Sequence, residues 1–246
     1  MASPEANSRL KQVLIPDLEK IIKHASWRKH SKLATECKSV IEHLTTPNQN
    51  PSSPTTQSDP DSSPSHPGVL LYFSLFDSDL ILSPFINSIS SNHSKAVEPA
   101  LDAVQKLIAH GYLHGEADPG GGTDAQLLSK VIESVCKCHD LGEENVELLV
   151  IKTLLSAVTS VTLRIHGDSL LQVVRTCYDV YLNSKNVVNQ TTAKASLVQM
   201  LVIVFRRMEA DSSTVPLQPI VVRANGAGRK GRYRWVDDYV CAGVYH

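Results

Sequence analysis

The sequence predicts an all-α fold, an armadillo- or HEAT-like array of about seven or eight helices with a Pro/Ser-rich insertion. Three observations carry this. Apolar residues recur at three- and four-residue spacing through most of the chain. Strand signals are scarce. The candidate helices run roughly 10–20 residues, have short joints, and pair at about the 40-residue interval of helical repeats. No clean sequence repeat is visible, so a compact bundle is the competing architecture.

In chain order, Ser8 to about Ala25 puts Leu10, Leu14, Leu18, Ile21, Ile22 and Ala25 on one face, with Pro16 as a kink or a new start. Ser26 is placed to cap the next helix, whose stripe is Leu33, Cys37, Val40, Ile41 and Leu44. Residues 45–68 hold Pro47, Pro51, Pro54, Pro60, Pro64 and Pro67 among small polar residues. Such a segment buries too little apolar surface to offset its ordering entropy, and a disordered loop is predicted. Leu70 to Phe76 is an apolar run that periodicity leaves open between a strand and a helical turn.

Asp79 to Ser90 reads as a helix on Leu82, Phe85, Ile86 and Ile89. Ser94 to His110 follows on Leu101, Val104, Leu107 and Ile108, with Pro99 in its first turns and Gly111 as a left-handed cap. After the Gly-rich stretch 115–122, Thr123-Asp-Ala-Gln126 is a capping box for a helix on Leu127, Leu128, Val131, Ile132 and Val135. Glu144 to about Val161 carries Val146, Leu149, Val150, Thr153, Leu154, Ala157 and Val158.

Two final helices follow. Asp168 to Leu182 has the stripe Leu170, Val174, Cys177, Tyr178 and Tyr181. Asn189 to Met208 has two stripes: Ala193, Leu197, Leu201, Val204 and Met208, then Val198, Val202 and Phe205. A helix apolar on two sides has neighbours on two sides. These residues point to stacking and dictate no reaction. After Pro216 and Pro219 the helix cannot continue, and 223–246 lacks helical periodicity.

Composition narrows the function classes. A chain of 246 residues is long enough to bury a core in one domain or two. The net charge of −1 argues against a general nucleic-acid binder. The 42% hydrophobic and 5% aromatic content suits Leu/Val/Ala packing. Without an uninterrupted apolar run of about 18 residues, no membrane-spanning helix is expected. The first nine residues lack the pattern of a secretory signal. Five cysteines without framework spacing fit a reducing compartment, where the sequons at Asn92 and Asn189 carry no glycosylation meaning. A cytosolic location is the default.

Several motifs invite chemistry, and each has a plainer explanation. Gly226-Ala-Gly228-Arg-Lys-Gly231 matches the dinucleotide pattern, but Arg232-Tyr-Arg-Trp follows where a helix must begin, so a tail is preferred. Cys136-Lys-Cys138-His139, with His110 and His114, resembles a zinc set. Cysteines two apart on a helix end diverge by about 200°, and structural cysteines are preferred. His110, His114 and His166 are read as helix-end histidines facing the negative dipole end. Asp168-Ser169 looks like a helix start and not a nucleophile pair. The basic group Arg229 to Arg234 suits anionic lipid, but four charges in a floppy tail are weak evidence for it, and Trp27-Arg-Lys-His30 is read as a solvated surface. No catalytic residue, metal ligand or cofactor site is assigned.

Specific runs then resemble a known family. They are Ala25-Ser-Trp-Arg-Lys-His-Ser-Lys-Leu33, Pro99 to Leu113, Leu163-Arg-Ile-His-Gly167, Leu171 to Asn186, Asn189 to Ala195 and Met200 to Met208. In order, they resemble the dimerisation and cyclophilin-binding region of the brefeldin A-inhibited guanine-nucleotide exchange proteins for ADP-ribosylation factors (ARFs), most of all the plant members. The resemblance runs from about Ser8 to Val222 and departs near Arg223. It divides the chain into a helical regulatory domain, 1–222, and a divergent flexible tail, 223–246.

The resemblance implies an armadillo-like regulatory domain without exchange activity, in a protein of Golgi and trans-Golgi vesicle traffic. The implied partners are a second copy or a full-length exchange factor, the downstream domain of the family, an ARF-like small GTPase and a cyclophilin. Membrane association would be peripheral, and no nucleic acid is involved. Tyr181, Lys185, Asn186 and Asn189 form a polar joint between the last two helices. They are the candidate partner surface, with capping and connecting the preferred role. The alternative function is a generic helical-repeat scaffold unrelated to ARF exchange.

Overall fold

The structure, a computed structural model, describes residues 4–25, 31–45, 68–71 and 73–214. Residues 46–67 of the predicted loop, the Ser26 cap, the Trp27 to His30 turn and everything after Thr214 lie outside the described residues, as do the Gly226 pattern, Arg229 to Arg234 and the tail 223–246.

Eight α-helices are described: α1 (Pro4–Ala25), α2 (Ser31–Thr45), α3 (Leu75–Ile89), α4 (Ser94–Ala109), α5 (Thr123–Lys137), α6 (Glu144–Thr159), α7 (Gly167–Asn183) and α8 (Val187–Thr214). They form two layers. α1, α4, α6 and α8 lie side by side in one; α2, α3, α5 and α7 do so in the other. Each consecutive pair, α1–α2, α3–α4, α5–α6 and α7–α8, packs across the layers. Layered hairpins of this kind are the helical-array architecture expected from the sequence, and one continuous core runs between the layers.

The helices form where the periodicity puts them. α1 buries Leu10, Leu14, Leu18, Ile21 and Ala25 and continues through an exposed Pro16. α4 ends at Ala109, and Gly111 takes φ +68 just beyond it. Between α1 and α4 lies the fully buried Asp17, whose carboxylate accepts from Lys20 at 2.8 Å and from Lys106 at 2.7 Å. Burial works to lower the Lys106 pKa. Hydrogen bonds to Asp102 and Asp17, with their charges, outweigh it and hold the ammonium above its ordinary value.

The structure corrects four local expectations. The helix placed at Asp79 begins at Leu75. Ser74 is its cap: Asp77 N donates to Ser74 Oγ at 3.2 Å, and Ser74 Oγ donates to Asp77 Oδ2 at 2.8 Å. Thr123 is the first residue of α5, not its cap. Gly122 occupies the cap position, and Gln126 reaches back to donate to Gly121 O at 2.9 Å.

Two three-residue strands went unread. β1 (Gly115–Ala117) and β2 (Leu163–Ile165) pair in parallel with Glu116 opposite Arg164, and Leu70 bridges to Leu113 beside them. They clasp together the loops after α4 and α6. The fourth correction concerns α8. Its span Val187–Ala210, averaging a hydropathy of 1.2, is long and apolar enough to cross a membrane by length and composition alone. A few small or flexible residues, Ala193, Ser196 and Met200, nevertheless pack it into the array.

Candidate interaction surface

The candidate site begins at the joint between α7 and α8. Asn186 caps α8, its Oδ1 accepting from Val188 N at 2.8 Å. Its Nδ2 donates to Glu144 Oε2 at 2.8 Å. Asn189 is only 2% exposed and donates to Glu144 O at 2.8 Å and to Glu147 Oε2 at 3.0 Å. Ser184 Oγ donates to the same Glu147 carboxylate, and Gln190 Nε2 donates to Ser184 O. Three donors from the joint thus converge on two glutamates in the first turns of α6. Tyr181 is half-buried against Ile151, Val180 and Ala193, with its ring 6.2 Å from that of Tyr178, and Lys185 is exposed. The joint fastens the last hairpin to the preceding one. At the other end of α8, Arg207 donates to Ser160 O at 2.6 Å.

The core face of α7 overlaps the predicted stripe only in part. Ser169, Val173, Thr176, Cys177 and Val180 are buried, whereas Leu170 and Val174 are half-buried and Tyr178 is exposed. Small side chains let α7 sit close to α5, and Ser129 and Ser169 hydrogen-bond across that contact at 3.2 Å. On the outside of α7, Leu171 and Leu182 join Tyr178.

α8 behaves alike. Of its first stripe Ala193 is buried and Leu197 and Val204 are half-buried, while Leu201, Met208, Val198, Val202 and Phe205 are exposed. Apart from Phe76 and Val161, every large exposed apolar side chain among the described residues lies in α7, α8 or at their joint. The opposite end, the outer face of α1, presents Gln12, Glu19 and Lys20 instead. A contiguous apolar face at one end of a layered array marks a docking surface.

The other motifs are placed as follows. Cys136 and Cys138 are buried, and Cys177 is fully so. Burial pushes the Cys136 thiol up to about 11 and those of Cys37, Cys138 and Cys177 up to about 12. His139 Nδ1 lies 2.7 Å from Cys136 O, and among the described residues no three His, Cys, Asp or Glu side chains are arranged to hold a metal. Ser169 is buried on Ser129 and Asp168 is exposed. His110 stands at the α4 C-terminus. His166 precedes α7, at the positive end and not the negative end expected, with Glu116 3.4 Å away. The groove between α2 and α3, about 450 Å³, is lined by Phe76, Leu80 and Pro84 with mixed charges around it.

Two layers of helices with their apolar exposure gathered at one end define a helical interaction domain. Comparison with known proteins gives the family. A family model described as the Mon2/Sec7/BIG1-like dimerisation and cyclophilin-binding domain matches residues 5–212, and the chain belongs to that family. Among relatives, brefeldin A-inhibited guanine nucleotide-exchange protein 3 of Arabidopsis thaliana is 66% identical over 90% of this chain and 13% of its own length. Protein 2 of the same plant is 64% identical over the same shares, and human protein 1 is 39% identical over 78% of this chain and 10% of its own. The chain thus spans about an eighth of the plant relatives it matches. The matched stretch is the non-catalytic dimerisation and cyclophilin-binding domain and not the exchange domain.

Proposed function

We propose that the protein is a protein-interaction and dimerisation module, the regulatory part of an ARF guanine-nucleotide exchange factor acting in Golgi and trans-Golgi vesicle traffic. The observation that carries this is the apolar end face of α7 and α8, which leaves Leu171, Tyr178, Val198 and Phe205 more than half exposed. Such a face marks a site of interaction. The first partners are another copy, a full-length exchange factor, or the domain that follows in such proteins. An ARF-like small GTPase and a cyclophilin are further partners on the family's account. The protein works from the cytosol, peripherally at the membrane. Asn186 and Asn189 hold the surface in place, and Tyr181 and Lys185 form its rim.

Light scattering of the full chain over a wide concentration range tests this. A concentration-dependent dimer is expected, and a monomer throughout overturns the dimerisation reading. Capture from cytosol should recover an exchange factor, an ARF-like GTPase or a cyclophilin. Recovery of none of them favours the generic scaffold.

A further inference from the structure

The outer face of α8 carries an order of side chains that matches its own reverse. Lys194 and Glu209 are exposed, and neither makes an ion pair among the described residues. Between them stand Val198, Leu201, Val202 and Phe205, exposed by 57%, 45%, 44% and 58%. At 3.6 residues per turn these six positions share one side of the helix, away from the buried Ala193, Ser196 and Met200. The series reads cation, four apolar residues, anion. It is symmetric about the midpoint between Leu201 and Val202.

We propose that this face pairs, antiparallel and about a two-fold axis, with the same face of a second copy. This rests on the dimerisation reading above and names the surface that performs it. Laid antiparallel about that midpoint, Lys194 meets Glu209, Val198 meets Phe205 and Leu201 meets Val202. Because the contact is isologous, each pair occurs twice. A parallel alignment would instead set Lys194 against Lys194 and Glu209 against Glu209.

Two further features favour a second copy. α8 has 28 residues against 16 in α6, and Arg207 already reaches the α6 C-cap at Ser160. The stretch holding Glu209 therefore lies past the C-cap of α6. A lipid surface, the other apolar occupant, suits the exposed Lys194 and Arg206 but leaves the anion Glu209 beside the apolar residues unmatched, whereas a second copy sets it against Lys194. On the neighbouring helix α7, Leu171, Tyr178 and Leu182 are exposed as well.

Sedimentation equilibrium of the full chain, with substitutions confined to exposed positions, tests the pairing. Lys194→Glu or Glu209→Lys should each weaken self-association roughly tenfold, by placing like charges opposite each other at two symmetric points. The double variant should recover to within a few-fold of the parent, because exchanged charges remain complementary. Phe205→Asp should abolish association while leaving the circular dichroism spectrum unchanged. Leu201→Cys, next to the axis, should give a disulfide-linked dimer on mild oxidation, and Lys194→Cys should not.

A dimer indifferent to Lys194→Glu and Phe205→Asp would overturn this interface and leave the dimerisation reading standing. A chain monomeric at every concentration would overturn both. A monomer that binds vesicles of anionic lipid, and loses that binding with Phe205→Asp, would assign the face to a membrane and overturn the pairing.

Discussion

Asp17 has no exposed surface, and a buried carboxylate is tolerable only when cations reach it. Lys106 crosses from α4 to do so, while Lys20 answers from its own helix. Lys106→Met should cost about 2–3 kcal/mol, below the usual loss for a broken buried pair because Lys20 remains. The pKa shift fixes how that cost depends on pH. The Lys106 value is raised on folding, so its contribution is complete below the ordinary lysine value of 10.5. It is lost as the pH climbs through the higher folded value. Denaturation curves of parent and variant should therefore differ at neutral pH and converge in strong alkali. The thiols offer a simpler check. With pKa values of about 11 or 12, Cys37, Cys136, Cys138 and Cys177 should resist iodoacetamide at pH 8 until the chain unfolds. Asn189→Ala should destabilise by roughly 1–3 kcal/mol, because it removes one buried and one part-buried hydrogen bond and leaves Glu147 short of a donor. Hydrogen exchange should then quicken first at the start of α8.

Helices depend on their ends as much as on their stripes. Ser74→Ala should lower stability by about 1 kcal/mol in thermal melts, since only Ser74 Oγ meets Asp77 N at the head of α3. Gly115→Ala at the β1 clasp should cost about 1–2 kcal/mol: φ is +112, and an added Cβ would stand 3.2 Å from Leu128 Cδ1. Stripes were legible in the sequence for α1, α2, α4, α5 and α6 because the large apolar residues there face inward. The same rule located α7 but misassigned part of its inward face. Its inward side is built from Ser169, Val173, Thr176, Cys177 and Val180, while of the bulky residues that set the periodicity Leu170, Val174 and Tyr181 are only half-buried and Tyr178 is exposed. The start of α3 was hidden by the apolar run Leu70 to Phe76, although Ser74 three residues before Asp77 was a readable cap. Strands of three residues make no periodic signal, so β1 and β2 had none to offer. The joint at Asn186 and Asn189 could be located from sequence, but its partners Glu144 and Glu147 lie about 40 residues away and become visible only when α6 and α8 align.

At the scale of the molecule, self-association should leave a thermodynamic trace. A dimer that shields the α8 face makes the melting temperature rise with protein concentration, and Phe205→Asp should flatten that dependence. The architecture was legible because every pair of helices repeats one packing problem. The use of the last face was not, because periodicity reports that a stripe is apolar and says nothing of what covers it. The two ends of the array differ in kind, polar at α1 and apolar at α7 and α8. Head-to-tail contacts between unlike surfaces can propagate into filaments, whereas a surface that recognises only itself is used up in a single event. If the α8 face pairs with itself as proposed, a molecule adhesive at one pole and wetted at the other would have its stoichiometry capped at two.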